Sequence, residues 1–141
     1  MGYAGGYAGD VSPIQTWDML QADDTAVLID VRSAAEWSFV GVPDLTRVGK
    51  QALFIEWQSF PSMQLNTDFV AQVTTKVGQD STVLCLCRSG ARSAAAAAAL
   101  TATGFSKAYN IAYGFEGDMN NEGHRGTTNG WKADALPWRQ S

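Results

Sequence analysis

The sequence predicts an α/β domain built on a largely parallel sheet with helices on both faces. Three observations predict it. Short apolar runs of strand length recur along the chain, at Ala26-Val27-Leu28-Ile29-Asp30-Val31, Ser81-Thr82-Val83-Leu84-Cys85-Leu86 and Ala108 to Ala112. Helical segments stand between them, and such alternation is what a parallel, doubly covered sheet requires. The length, 141 residues, suits one domain; near ~150 residues a chain buries roughly 68–70% of its unfolded surface without staples.

Each element follows from local chemistry. Gly2-Tyr3-Ala4-Gly5 repeats as Gly6-Tyr7-Ala8-Gly9, and a glycine-rich piece with little to bury reads as a flexible tail over residues 1–11. The folded domain is expected over residues 12–141. Ser12-Pro13 is a helix start, Ser as cap and Pro at the first helical position, with Ile14, Trp17 and Leu20 at helical spacing. Ala26 to Val31 is a strand buried on both faces. Ser33 caps a short helix through Ala34, Ala35, Glu36 and Trp37. Gly41 to Gln51 reads as loop, Ala52 to Trp57 as a second strand, and Thr67 to Val77 as a helix after the break at Phe60-Pro61-Ser62. Ser81 to Leu86 is the third strand. An almost pure alanine helix spans Ser93 to Ala102 and ends at Gly104. The fourth strand is Ala108 to Ala112, followed by a polar, Gly- and Asn-rich loop from Gly114 to Gly130.

Charge and cysteine usage exclude several classes. A net charge of -4 argues against general affinity for nucleic acid or anionic membrane, since neither attracts an acidic surface. Cys85 and Cys87, one residue apart, close no useful disulfide loop. With one histidine, His124, they fall short of the four ligands of a structural zinc site. Met1 to Asp10 lacks the basic and apolar regions of a signal peptide, and no run approaches ~18 apolar residues. A reducing, cytoplasmic setting is expected, with no metal and no organic cofactor.

In sheets of this type the ligand crevice lies beyond the carboxyl ends of the strands. Cys87-Arg88-Ser89-Gly90-Ala91-Arg92-Ser93 occupies that place, between the third strand and the alanine helix. Gly90 allows the positive φ a tight cradle needs. A loop curling into a helix N-terminus turns successive N–H groups inward and forms an anion-binding nest. Amide dipoles, helix dipole, Arg88 and Arg92 would all favour a Cys87 thiolate. A nucleophile so placed needs no general base, which suits a chain with one histidine.

These residues resemble rhodanese domains over about Ser12 to Trp138, in four places and in order. Leu28-Ile29-Asp30-Val31-Arg32 with Glu36-Trp37 looks like the family's first signature, and Cys87 to Ser93 like its active loop. Gly104-Phe105 with Tyr109-Asn110-Ile111 resembles the strand after the active-site helix, and Gly130-Trp131-Lys132 with Leu136-Pro137 the closing signature. The resemblance implies a three-layer sandwich around a parallel five-stranded sheet, and a single-domain thiosulfate sulfurtransferase whose cysteine becomes a persulfide. It makes Cys87 the sulfur acceptor. Arg88, Ser89, Gly90, Ala91 and Arg92 would hold the bound sulfur or a donor anion. Asp30, Arg32 and Ser93 would support the active loop. The partners implied are a small sulfur-containing anion as donor and cyanide or a thiol as acceptor, with a protein-borne acceptor as the alternative.

Two stretches depart from the family pattern. Gly41-Val42-Pro43-Asp44-Leu45 replaces the usual run after the first helix, and the longer path to Ala52 is expected to rebuild the pocket rim with Phe54, Trp57, Phe60 and Met63. Asp118 to Asn129 is an apparent insertion where the family enters its last helix. Within the loop, Arg88 is either an anion contact or a solvated charge, and Arg92 either an anion contact or the partner of a carboxylate. Cys85 reads as a core thiol and His124 as a surface imidazole. A cysteine phosphatase or arsenate reductase uses a similar cradle with five residues between cysteine and arginine. Here four separate Cys87 from Arg92, which favours a single sulfur atom over a tetrahedral anion.

Overall fold

In the computed structural model, which describes residues 6–59 and 61–140, the first two helices each start at a side-chain cap. Ser12 accepts the Gln15 N–H at 3.0 Å while Gln15 accepts the Ser12 N–H at 2.8 Å, and Pro13 opens helix α1 (Pro13–Ala22). This reciprocal box satisfies two donors that a helix start otherwise leaves open. The same device recurs at Ser33 and Glu36, which open α2 (Ala34–Phe39).

The central sheet has five parallel strands in the order β1 (Gly9–Val11), β8 (Ala108–Ile111), β7 (Val83–Leu86), β2 (Val27–Asp30), β4 (Leu53–Phe54). The expected five-stranded α/β sandwich is the fold observed. One expectation is corrected. Residues 9–11, read as part of the tail 1–11, form an edge strand in register with Tyr109, Asn110 and Ile111. The open edge of β8 supplies the unpaired backbone groups that hold the segment, whatever its glycine content. Residues 1–5 of that tail lie outside the described residues.

Along β7 the side chains alternate between two cores, as a strand's period of two requires. Val83, Cys85 and then Cys87 face the cluster made by α3 (Phe69–Thr74) and α4 (Ala91–Ala102); Leu84 and Leu86 face α1 and the C-terminal segment. The alanines of α4 let it sit close on the sheet, with Ala96, Ala97 and Leu100 fully buried.

Three expected elements are shorter or shifted. The second strand shrinks to Leu53–Phe54, because the chain leaves the sheet for a hairpin of β5 (Gln58–Ser59) and β6 (Gln64–Leu65). The helix expected over Thr67 to Val77 is regular only over Phe69–Thr74, where Thr74 and Thr75 turn their hydroxyls back on the Ala71 and Gln72 carbonyls, a competing interaction that weakens a helix end. The alanine helix begins at Ala91, two residues before Ser93, so Ala91 and Arg92 belong to its first turn.

The loop from Gly41 holds β3 (Val42–Pro43), which pairs antiparallel with β9 (Trp138–Arg139). Among the described residues no helix follows α4. The segment is instead anchored by Trp131, fully buried, whose indole N–H donates to the Pro137 carbonyl at 2.7 Å. No helix of the described residues is long and apolar enough to cross a membrane.

Candidate active site

Cys87 follows β7 directly and stands at the carboxyl edge of the sheet, beside the N-terminus of α4. Gly90 caps that helix at φ +120°, ψ -13°, a conformation that L side chains rarely adopt. The turn brings the Gly90 N–H to 3.1 Å from Cys87 Sγ and Ser93 Oγ to 3.2 Å from the same sulfur. Sulfur, glycine amide and serine hydroxyl, all expected from the loop, are thus in contact. Cys87 itself is 1% exposed, so the sulfur sits at the floor of the cradle.

Two more residues reach this centre from across the sheet. Asn110, on β8, lies 2.6 Å from Ser93 Oγ through its Oδ1, and its amide nitrogen donates to Asp10 of β1 at 2.9 Å. Neither was singled out from the sequence. The available signal was a polar Asn inside the apolar run Ala108 to Ile111, since a buried amide must find partners.

The two arginines separate. Arg92 makes a bidentate pair with Glu36 of α2, at 2.6 and 2.9 Å, which ties α2 to the start of α4. Burial alone would raise the Glu36 carboxyl, but the Arg92 guanidinium and the Ser33 bonds outweigh it and bring the value down to about 2. Arg88 is exposed and lines a cavity of about 510 Å³ that the paired Arg92 also borders, together with Ser33, Glu36, Phe39, Met63 and Glu116. Of the four residues expected at the rim, Met63 lines this cavity. Trp57 packs edge-on against Phe69 in the core, Phe54 packs against Trp37, and Phe60 lies outside the described residues. Phe39, 81% exposed, takes the rim position that sequence reasoning missed.

Asp30 and Arg32 reach the loop only through other residues. They form a fully buried pair with bonds of 2.7 and 2.9 Å, and Arg32 also donates to the Gly41 carbonyl at 2.7 Å. The Arg32 guanidinium lies 4.4 Å over the Phe115 ring, and the Phe115 N–H donates to the Cys87 carbonyl at 2.8 Å. Glu116 and Gly117 N–H groups donate to the Arg88 carbonyl at 3.0 and 3.1 Å. The Cys87 and Arg88 carbonyls are therefore satisfied by residues 115–117, while the Gly90 N–H is turned toward the sulfur. Cys85 is fully buried, and burial, with the neighbouring Cys87 charge, pushes its thiol up to about 12. His124 is exposed in the insertion and does not line the cavity.

The chain has relatives among known proteins. Residues 8–141 match the family model described as the STR4 middle domain, and the chain belongs to that family. It is 31% identical over 108 residues to the thiosulfate sulfurtransferase GlpE of Actinobacillus succinogenes, covering 77% of this chain and 81% of that one. It is 38% identical over 130 residues to the uncharacterized protein RP600 homolog of Rickettsia rickettsii, covering 92% and 96%. Among solved structures, Rv0390 from M. tuberculosis superposes with a TM-score of 0.89 at 46% identity, over 96% of this chain and 100% of that chain. The polysulfide-sulfur transferase homodimer from Wolinella succinogenes shares the fold at a TM-score of 0.61 and 21% identity, over 94% and 78%. The chain is thus homologous to rhodanese-like sulfurtransferases.

Proposed function

We propose that the protein is a sulfurtransferase of the single-domain rhodanese type, moving a sulfane sulfur from a donor such as thiosulfate to cyanide or a thiol through a persulfide on Cys87. The observation that carries the reading is the Cys87 cradle: a sulfur accepting the Gly90 N–H at 3.1 Å, at a helix N-terminus, with the next residue in the chain, Arg88, lining a cavity. Helix dipole and inward amides favour an anion there.

In the first half-reaction the Cys87 thiolate attacks the sulfane sulfur of thiosulfate. A new S–S bond forms as the donor's S–S bond breaks, and sulfite leaves with the electron pair. In the second, an acceptor thiolate or cyanide attacks the outer sulfur and the Cys87 thiolate departs. Both steps are exchange chemistry at sulfur, governed by thiolate fraction and leaving-group quality. The loop amides from Arg88 to Arg92 hold the transferred sulfur, and Arg88 meets the donor anion. Two free thiols and this chemistry suit a reducing, cytoplasmic setting.

A second reading has the protein pass its sulfur to a partner protein. The cavity of about 510 Å³, with Phe39 and Met63 exposed on it, supports this, because thiosulfate and cyanide need far less room. A cysteine phosphatase is disfavoured, because Arg92, which would have to meet a phosphoryl group, is committed to Glu36 at 2.6 Å. The deciding experiment is intact mass after incubation with thiosulfate. Addition of one sulfur atom that Cys87→Ser abolishes is expected, and loading that survives Cys87→Ser overturns the reading. A screen of small and protein-borne thiols for discharge then separates the two acceptors.

A further inference from the structure

Ser93 Oγ has one proton and three neighbours able to take it: Asn110 Oδ1 at 2.6 Å, Cys87 Sγ at 3.2 Å and the Gly90 carbonyl at 3.2 Å. The direction of the Asn110 amide decides among them. Asp10 Oδ1 lies 2.9 Å from the Asn110 amide nitrogen, and a carboxylate only accepts. Asn110 must therefore turn its NH₂ to Asp10 and its oxygen to Ser93. That oxygen only accepts, so Ser93 spends its proton on it and presents a lone pair to sulfur. The Tyr7 hydroxyl donates to the same Asp10 oxygen at 2.7 Å, a second bond that holds the carboxylate.

We propose that Asp10 and Asn110 are positioning residues for Cys87: acting through Ser93, they hold its hydroxyl proton off the sulfur and favour the thiol over the thiolate. Hydrogen bonds then run one way, from the Cys87 S–H to Ser93, to Asn110 and to Asp10. When Cys87 loses its proton to solvent, Ser93 must swing its own proton to the sulfur and leave Asn110 Oδ1 buried without a donor. Asn110 is 6% exposed and Ser93 0%, so the loss is felt. The cradle and the relay thus oppose one another, the amides stabilising the anion and the relay the thiol. The proposal rests on reading Cys87 as the working nucleophile.

Other titratable and charged groups near the sulfur include Cys85 on β7, Arg88 on the loop, Arg92 on α4 with Glu36 on α2, Glu116 in the segment after β8, and the Asp30–Arg32 pair at the end of β2. None of them contacts Ser93 or Asn110 through a hydrogen bond given by the structure, so changes at Asp10 and Asn110 leave their pairings in place.

The test is the pH–rate profile for alkylation of Cys87 by iodoacetamide in the full chain, read by intact mass. Wild type, Asp10→Ala and Asn110→Leu are compared, each also combined with Ser93→Ala. Either change alone is expected to move the profile to lower pH, with alkylation near pH 6 roughly three- to tenfold faster, tenfold being one pKa unit. In the Ser93→Ala background the difference is expected to vanish. Profiles that coincide with wild type, or move to higher pH, overturn the proposal. So does a shift that survives Ser93→Ala, which would be the through-space loss of the Asp10 charge. Should Asn110→Leu fail to fold, Asp10→Ala, exposed on the edge strand, carries the same test. Alkylation involves no sulfur donor, so its outcome is independent of whether Cys87 accepts sulfur from thiosulfate.

Discussion

Gly114 lies directly against the Cys87–Arg88 peptide. A Cβ at Gly114, whose φ is +62°, would stand 2.6 Å from the Arg88 carbonyl carbon and collide with the Cys87 carbonyl oxygen. The Gly114 carbonyl in turn accepts the Trp131 N–H at 2.9 Å. The loop after Cys87 is thus pressed between α4 and the C-terminal segment, and no side chain fits in the seam. Gly114→Ala is expected to lower stability by on the order of 2–3 kcal/mol, combining left-handed strain with displacement of the loop. Thermal unfolding measures the first effect, and sulfur loading at a temperature where the variant is folded measures the second. Unchanged loading in a destabilised variant would show that the seam serves stability alone.

Cys85 and Cys87 share a strand face but not a chemistry. Burial drives the Cys85 thiol up to about 12, so at neutral pH it stays protonated and enclosed. In the native protein iodoacetamide is expected to modify one cysteine, and both after denaturation. Cys85→Ala should load sulfur as wild type does, within about twofold, and cost stability of order 1 kcal/mol for a small buried side chain. A stable Cys85–Cys87 disulfide on mild oxidation, detected by mass and lost in Cys85→Ala, would contradict this division.

How legible was the site? Everything carried by one continuous segment was readable. Cys87, Gly90 and Ser93 sit within seven residues, and loop and helix start bring them together through backbone geometry alone. Asp30 and Arg32 could likewise be named from the sequence, although their route to the loop, through the Phe115 ring, could not. Residues delivered by the sheet order escaped. Asp10 stood in a glycine-rich stretch that reads as tail, and only the pairing of β1 with β8 carries it to within 2.9 Å of Asn110. Glu36 and Phe39 reach the cavity because α2 packs over the loop through Arg92, a pairing across fifty-six positions. Strand and helix limits failed where a hydroxyl or an edge, rather than periodicity, ended the element.

The Glu36–Arg92 pair sets an acid limit. The folded Glu36 carboxyl, at about 2, lies below its ordinary 4.5. Its stabilisation is therefore complete above the unfolded value and is lost as pH falls from there toward 2. Glu36→Gln is expected to destabilise the protein at pH 7 by roughly 1–3 kcal/mol and to flatten the acid limb. Asp23, also near 2 through bonds from Thr82 and Thr25, titrates in the same window, so the variant keeps part of the slope. Chemical denaturation between pH 2.5 and 7 checks this, and parallel curves for the two proteins would remove the pair from the account.

Arg88 and Arg92 make opposite predictions although both flank the cradle. Arg92 gives two donors to Glu36, at 2.6 and 2.9 Å, and is spent on architecture. Arg88 is exposed, lines the cavity and keeps its charge available to a dianion. Under the proposed function, removing it should weaken the encounter with thiosulfate while leaving the sulfur and its amides in place. Arg88→Ala is expected to raise KM for thiosulfate about tenfold with kcat changed less than about threefold, the size of one partly solvated charge-assisted contact. Arg88→Lys, which keeps a point charge, should recover most of the loss, and added salt should weaken wild type more than Arg88→Ala. Alkylation by neutral iodoacetamide is the control, expected to change less than about threefold, because that reagent has no charge for Arg88 to meet. Arg92→Lys should instead lower stability through the broken bidentate pair. A KM for thiosulfate that is unchanged in Arg88→Ala would assign the anion contact to the loop amides alone.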